Sequence, residues 1–143
     1  MSDPRKTLQY EGIRDTGGVT YAIDDSTITY SATEENGSAA VGMAVTLKAD
    51  DTVELAGDGE FVAGKLLEVF ADNTCTVQIA GFCTLPAGAG ASTTLGYPIV
   101  GDLDGNSAEG YVREVASATA AEICKGRGKI WADDTTTALV IEL

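Results

Sequence analysis

The chain contains no histidine, and only nine lysines and arginines stand against 22 aspartates and glutamates in 143 residues. Without an imidazole there is no Ser-His-Asp or Cys-His nucleophile and no histidine-bearing zinc site. A net charge of −13 excludes a protein that works by gripping phosphate backbones, where cations must neutralise phosphates. It also speaks against attachment to an anionic membrane, so neither nucleic acid nor membrane is expected as a partner. Cysteine is scarce too: three residues, an odd number, with no C-x-x-C spacing. They frame neither a disulfide scaffold nor a zinc site. Cys75 and Cys83 fall in one strand-like run, about 26 Å apart if that strand is straight, beyond disulfide reach. All three are expected to be reduced, buried, small apolar residues.

Aromatics are thin, with one Trp, five Tyr and three Phe, and form no stacking platform for a sugar or a base. No window approaches the roughly 18 apolar residues of a membrane span, and the opening "MSDPRKTLQY" has no apolar core of a secretory signal. The chain is therefore expected to fold in a cytoplasm. Large aliphatics and Phe are few as well. Val, Ile, Leu and Phe together supply 32 residues, close to the roughly one-fifth at which chains fail to build a core. Burial against other subunits would make up the shortfall, so a homo-oligomer is expected.

What is present is period two. In "VGMAVTLK" Val41, Met43, Val45 and Leu47 fall on one face, with Gly42, Ala44, Thr46 and Lys48 on the other. "CTVQIAGFCTL", "ALVIEL", "TYAI" and "TITY" repeat the alternation, the mark of half-buried antiparallel strands. "ADD", "AGDG", "ADN" and "DLDGN" punctuate the runs with residues suited to turns. Asp50 and Asp51 sit where one alternating run must reverse into the next, so the pair reads as a hairpin turn rather than an active site. "PAGAGAST" (86–93) reads as a flexible surface loop. Helix is confined to a turn or two in "SATAAEICKG", closed by Gly126 beside Lys125. The expected fold is all-β: a small antiparallel barrel or sandwich with an extended N-terminal arm, residues 1–18, and one β-rich domain, 19–143. At most one short helix is expected.

Chemistry is hard to place. "GDLDGNSAEG" could offer Asp102, Asp104, Asn106 and Glu109 to calcium. Its glycine comes too soon for an EF-hand loop and the distal Glu is missing, so a plain polar loop is expected, with no metal and no cofactor. "KGRGKIW" sets Lys125, Arg127 and Lys129 among glycines without Walker spacing. Alternation would place all three cations on one strand face, suited to carboxylates of a neighbouring subunit. A trimeric dUTPase-like hydrolase is a weak rival, because its aspartate-bearing strand motif and glycine-rich tail with an aromatic lid are missing. A carbohydrate-binding or adhesin module with clustered loop tips is the other alternative.

From Val41 onward, "AVGMAVTLKADDTVELAG", "AGKLLEVFADNTCTVQIAGFCTLPAGAG" and "GRGKIWADDTTTALVIEL" resemble the bacteriophage head decoration, or capsid cement, proteins. The resemblance covers about 100 residues and does not reach the first forty. It implies a non-enzymatic β-rich protein, commonly trimeric, on the outer surface of an icosahedral head and in contact with the major capsid protein. On that view the arm residues Arg5, Lys6, Leu8, Tyr10 and Ile13 are the expected capsid contacts. Arg127 and Trp131 are expected at the subunit interface.

Overall fold

The computed structural model of the chain describes residues 17–115, 119–133 and 138–143. The fold is all-β. Strands β1 (Gly18–Ile23), β2 (Ala44–Ala49), β3 (Thr52–Leu55), β4 (Gly64–Val69) and β5 (Thr74–Gln78) close into a barrel in the order β1-β3-β2-β4-β5. Strands β6 (Phe82–Pro86), β9 (Lys129–Asp133) and β10 (Ala138–Glu142) form a second sheet with β10 in the middle. A two-stranded ribbon, β7 (Ile99–Asp102) and β8 (Tyr111–Glu114), completes the β structure. Among the described residues the one α-helix, α1 (Ala120–Lys125), starts on the Thr119 side chain, which accepts from the Glu122 amide, and ends at Gly126.

Local chemistry sets the hairpins. Asp50 and Asp51 turn β2 into β3, and Asp51 takes a left-handed φ of 57°, a conformation that Asp and Asn tolerate better than most residues. Asn73 does the same between β4 and β5 with φ 61°. There Asp72 Oδ1 accepts from the Thr74 amide at 3.1 Å and its hydroxyl at 2.6 Å. The acidic pair is a turn, as its position in the alternation implies.

Closure departs from a purely antiparallel plan. β1 lies antiparallel to β5 but parallel to β3, with Ala22 beside Thr52, and in that position it joins both ends of the five-strand set. A closed barrel has no exposed edge to template aggregation. "TITY" is not a strand: Thr27 lies in a turn and Ile28 to Tyr30 are irregular. Ile28 is nevertheless fully buried in the barrel core, so its apolar character serves to close the barrel rather than to pair. Gly18, placed by sequence in the arm, is the first residue of β1, and Gly17 already accepts from the Ile79 amide at 2.8 Å.

Two hydrophobic clusters form among the described residues. The barrel holds Ile23, Ile28, Val45, Val53, Leu66, Val69, Cys75 and Val77. The second gathers Ala44, Ala56 and Val62 from the barrel wall with Cys83, Leu85, Ile99, Val112 and Ile130. Ala44 and Val45 are successive residues of β2, point to opposite faces, and are both fully buried. Ala44 was expected on the outer face; that outer face is the floor of a second core. Leu47, expected inside, is 49% exposed, beside the irregularity that shifts the β2–β3 register between Leu47 and Ala49. Cys75 and Cys83, read as one strand, belong to β5 and β6 in different sheets, separated by a bend at Gly81 with φ 85°.

An ion network pins the barrel. Lys48 on β2 meets Asp24, just past β1, and Glu54 on β3 at 2.8 Å. The Lys48 contact lowers the Asp24 carboxyl from its ordinary value to about 2. A depressed carboxylate pKa adds stability that is complete above the unfolded value near 3.8 and disappears as pH falls through about 2. Acid titration followed by intrinsic fluorescence is expected to show stability falling between those two values, and Lys48→Met should flatten that part of the curve. A steric test is independent of charge. A Cβ on Gly64 would stand 2.1 Å from the Gln78 carbonyl oxygen and 2.7 Å from Val77 Cγ1. Gly64→Ala is therefore expected to cost about 3 kcal/mol or more in urea unfolding.

Candidate functional site: the aromatic face of the second sheet

In β6, Cys83 and Leu85 turn inward and are buried, which sends Phe82 outward. In β9, Ile130 is buried and Trp131 stands outside it. The two outward rings meet edge to face across β10, with centroids 5.6 Å apart and planes at 64°, a favoured arrangement for aromatic pairs. Trp131 remains 55% exposed and Phe82 37%. Beside β9 runs the segment carrying Leu95 and Tyr97, both at least half exposed. It is held there by Gly96 donating to the Ile130 carbonyl at 2.8 Å and Ile130 donating to the Tyr97 carbonyl at 3.0 Å. Phe82 and Trp131 thus pair on the outside of the second sheet, and Leu95 and Tyr97 are exposed on the segment beside β9. Lys129, next to Trp131, is exposed as well.

Arg127 holds this sheet against the barrel. Its backbone exchanges hydrogen bonds with Ile99, 3.0 Å and 2.9 Å. Its guanidinium donates to the carbonyls of Val62 and Ala63, before β4, and of Ile79, after β5. It also stands 5.7 Å from the centre of the Phe61 ring, within cation–π range. Burial pushes its pKa down from the ordinary value, with Cys83 and Tyr21 acting the other way. An arginine whose donors are committed to backbone oxygens is a structural tie within the chain.

The expected strip of three cations on one strand face does not form. Lys125 closes α1, Arg127 sits at an isolated bridge, Gly128 turns the chain at φ 63°, and only Lys129 lies in β9. The spacing looked like alternation because glycines separate the cations, but those glycines mark a helix end and a bend. Trp131 points outward, against the Phe82 ring. Phe82, Leu95 and Tyr97 went unremarked in the sequence, although alternation from Cys83 and Leu85 already puts Phe82 outside. The arm residues Arg5, Lys6, Leu8, Tyr10 and Ile13 lie outside the described residues.

Other candidate groups are absorbed by local structure. Asp104 Oδ1 accepts from the amides of Asn106 and Ala108 at 2.7 Å each, and these bonds hold its carboxyl below the usual range, Ala108 first. Asp102 stands 3.7 Å from Arg113, which also bonds Asp58 at 2.9 Å and Glu122. Among the described residues no group of three His, Cys, Asp or Glu side chains is placed to hold a metal ion. "PAGAGAST" is anchored at its start rather than loose. Gly88 donates to Val112 at 3.0 Å, and a Cβ there would lie 1.9 Å from Asp102 Oδ2. Burial pushes the Cys75 and Cys83 thiols up to about 11, which leaves them protonated and unreactive near neutrality. Cys124, expected to be buried, is exposed on α1, because a six-residue helix on the surface buries none of its side chains.

Comparison with protein-family models, with curated proteins and with solved structures gave no match to this chain.

Replacing Arg127 by methionine strands three backbone carbonyls between the two cores. The variant is expected to lose about 3 kcal/mol of stability in urea unfolding, a loss that Lys at the same position restores only in part.

Proposed function

We propose that this protein is a structural decoration module of an icosahedral phage head. It binds the outer surface of the head as an oligomer, a trimer by the resemblance, and braces contacts between major capsid subunits. It performs no catalysis. The observation that carries this reading is the exposed aromatic face of Phe82 and Trp131, extended by Leu95 and Tyr97, on a double-core β body. Trp and Tyr in such a setting are the residue types that anchor protein interfaces. The sequence resemblance from Val41 onward supplies the kind of assembly. The charge of −13 supports an outside position, since packaged DNA repels such a surface.

The test is to add purified protein to expanded heads that lack it. Saturable co-sedimentation and heads that resist higher temperature are expected; binding without saturation, or without added heat resistance, would sink the proposal. Trp131→Ala should weaken assembly or head binding at least tenfold, about 1.4 kcal/mol, without unfolding the protein, because the side chain is more than half exposed. Removing residues 1–16 keeps every described strand. A folded product with much weaker head binding is expected if Arg5, Lys6, Leu8, Tyr10 and Ile13 carry the capsid contact.

A further inference from the structure

At the end of β4 farthest from Arg127, the chain makes a second feature that the proposed head contact does not use. The loop from Tyr30 to Gly37 folds back directly onto the strand. Ser31 donates to the Gly37 carbonyl at 2.8 Å, and Gly37, at φ +85°, leaves no room for a side chain: a Cβ would stand 1.9 Å from the Val69 carbonyl oxygen. That close approach leaves an open groove of about 310 Å³, lined among others by Tyr30, Ser31, Glu34, Asn36, Glu68 and Phe70. Two aromatic rings, each more than a third exposed, and two exposed carboxylates therefore share one concave surface.

Unlike the carboxylates that Lys48 and Arg113 hold, those of the groove have no cation of their own among the described residues. Asp24 and Glu54 have Lys48, while Asp58, Asp102 and Glu122 have Arg113. Glu34 and Glu68 make no ion pair among the described residues. An arginine suits such a groove better than any other common side chain. Its flat face stacks on aromatic rings, and its edge presents donors in a fork that matches a carboxylate. The chain uses both halves of that chemistry internally, with Arg127 near Phe61 and Arg113 on its acids.

We propose that the groove between Tyr30 and Phe70 is a docking site for an arginine side chain presented by a partner protein, with Glu34 and Glu68 as its counter-ions. The occupant is cationic by charge complementarity and planar by the pair of rings.

The experiment uses the full chain, labelled with nitrogen-15, and two probe peptides: acetyl-Gly-Arg-Gly-Arg-Gly-amide and the same peptide with citrulline in place of arginine. Citrulline keeps the shape and removes the charge. Saturable amide shifts confined to residues 30–37 and 68–71 are expected with the arginine peptide, and none with the citrulline peptide. Glu68→Gln and Phe70→Ala should each weaken binding fivefold or more, with the rest of the spectrum unchanged, since both side chains are at the surface. Equal binding of the citrulline peptide overturns the proposal, as do shifts scattered over the acidic surface or wild-type binding by both variants. Shifts at the same residues that appear with protein concentration alone, without peptide, would make a second copy the occupant and overturn it too. None of these outcomes bears on head binding through Trp131, so the two readings fall separately.

Discussion

The structure depends on a wall that two hydrophobic cores share. β2 and β3 line the barrel with Val45 and Val53, while Ala44 of β2 and Ala56, just past β3, floor the second cluster. The backbone of the second unit must come close to such a wall, and small residues are what allow it. Gly110 accepts from Ala44 and donates to Ala56, both at 2.8 Å, while a side chain at Gly101 would collide with the Gly57 carbonyl oxygen at 2.2 Å. Glycine is the residue that permits such contacts between main chains. The abundance of Ala and Gly, which looked like a weak core in the composition, is the condition for joining two small cores back to back. Each alone would bury little; together they bury both faces of β2 at Ala44 and Val45.

Charge is handled with the same economy. Self-repulsion in a −13 molecule works against compaction, and few cations are on hand to relieve it. Lys48 serves two carboxylates and Arg113 three. Each of these cations links elements distant in sequence: Lys48 joins the first three barrel strands, and Arg113 joins β8 to α1 and to the turn at Asp58. Arg127 is used differently, on carbonyl oxygens between the cores, where a carboxylate would bring a second charge to desolvate. The remaining described carboxylates stay half-buried or exposed at the surface.

Strand existence was legible because alternation is a local signal. "VGMAVTLK", "CTVQIAGFCTL" and "ALVIEL" each contain a strand, and Asp50-Asp51 and Gly126 end elements where turn chemistry requires. Alternation assumes that one face is wet. It therefore misplaced Ala44, whose outer face is buried, and Leu47, which is exposed beside the irregularity in the β2–β3 register. It also ran β5 and β6 together, since nothing in the pattern of Cys75 to Leu85 reports that the chain changes sheets at Gly81. The parallel pairing of β1 with β3, the burial of Ile28 and the groove at Tyr30 all arise from contacts between distant segments. No window of the sequence contains them. Of the interface candidates, Trp131 was visible as an isolated large aromatic, whereas Arg127 was read for its charge when its role follows from geometry.

The position of β10 carries a consequence for how the molecule comes into being. It lies between β6 and β9, yet it follows both in the chain, more than fifty residues after β6. All five strands of the barrel are complete in sequence by Gln78. The outer sheet has to wait with its central stave missing, and long-range pairing of this kind is slow. The Phe82–Trp131 face is therefore completed only after β10 has been made, later than every strand of the barrel.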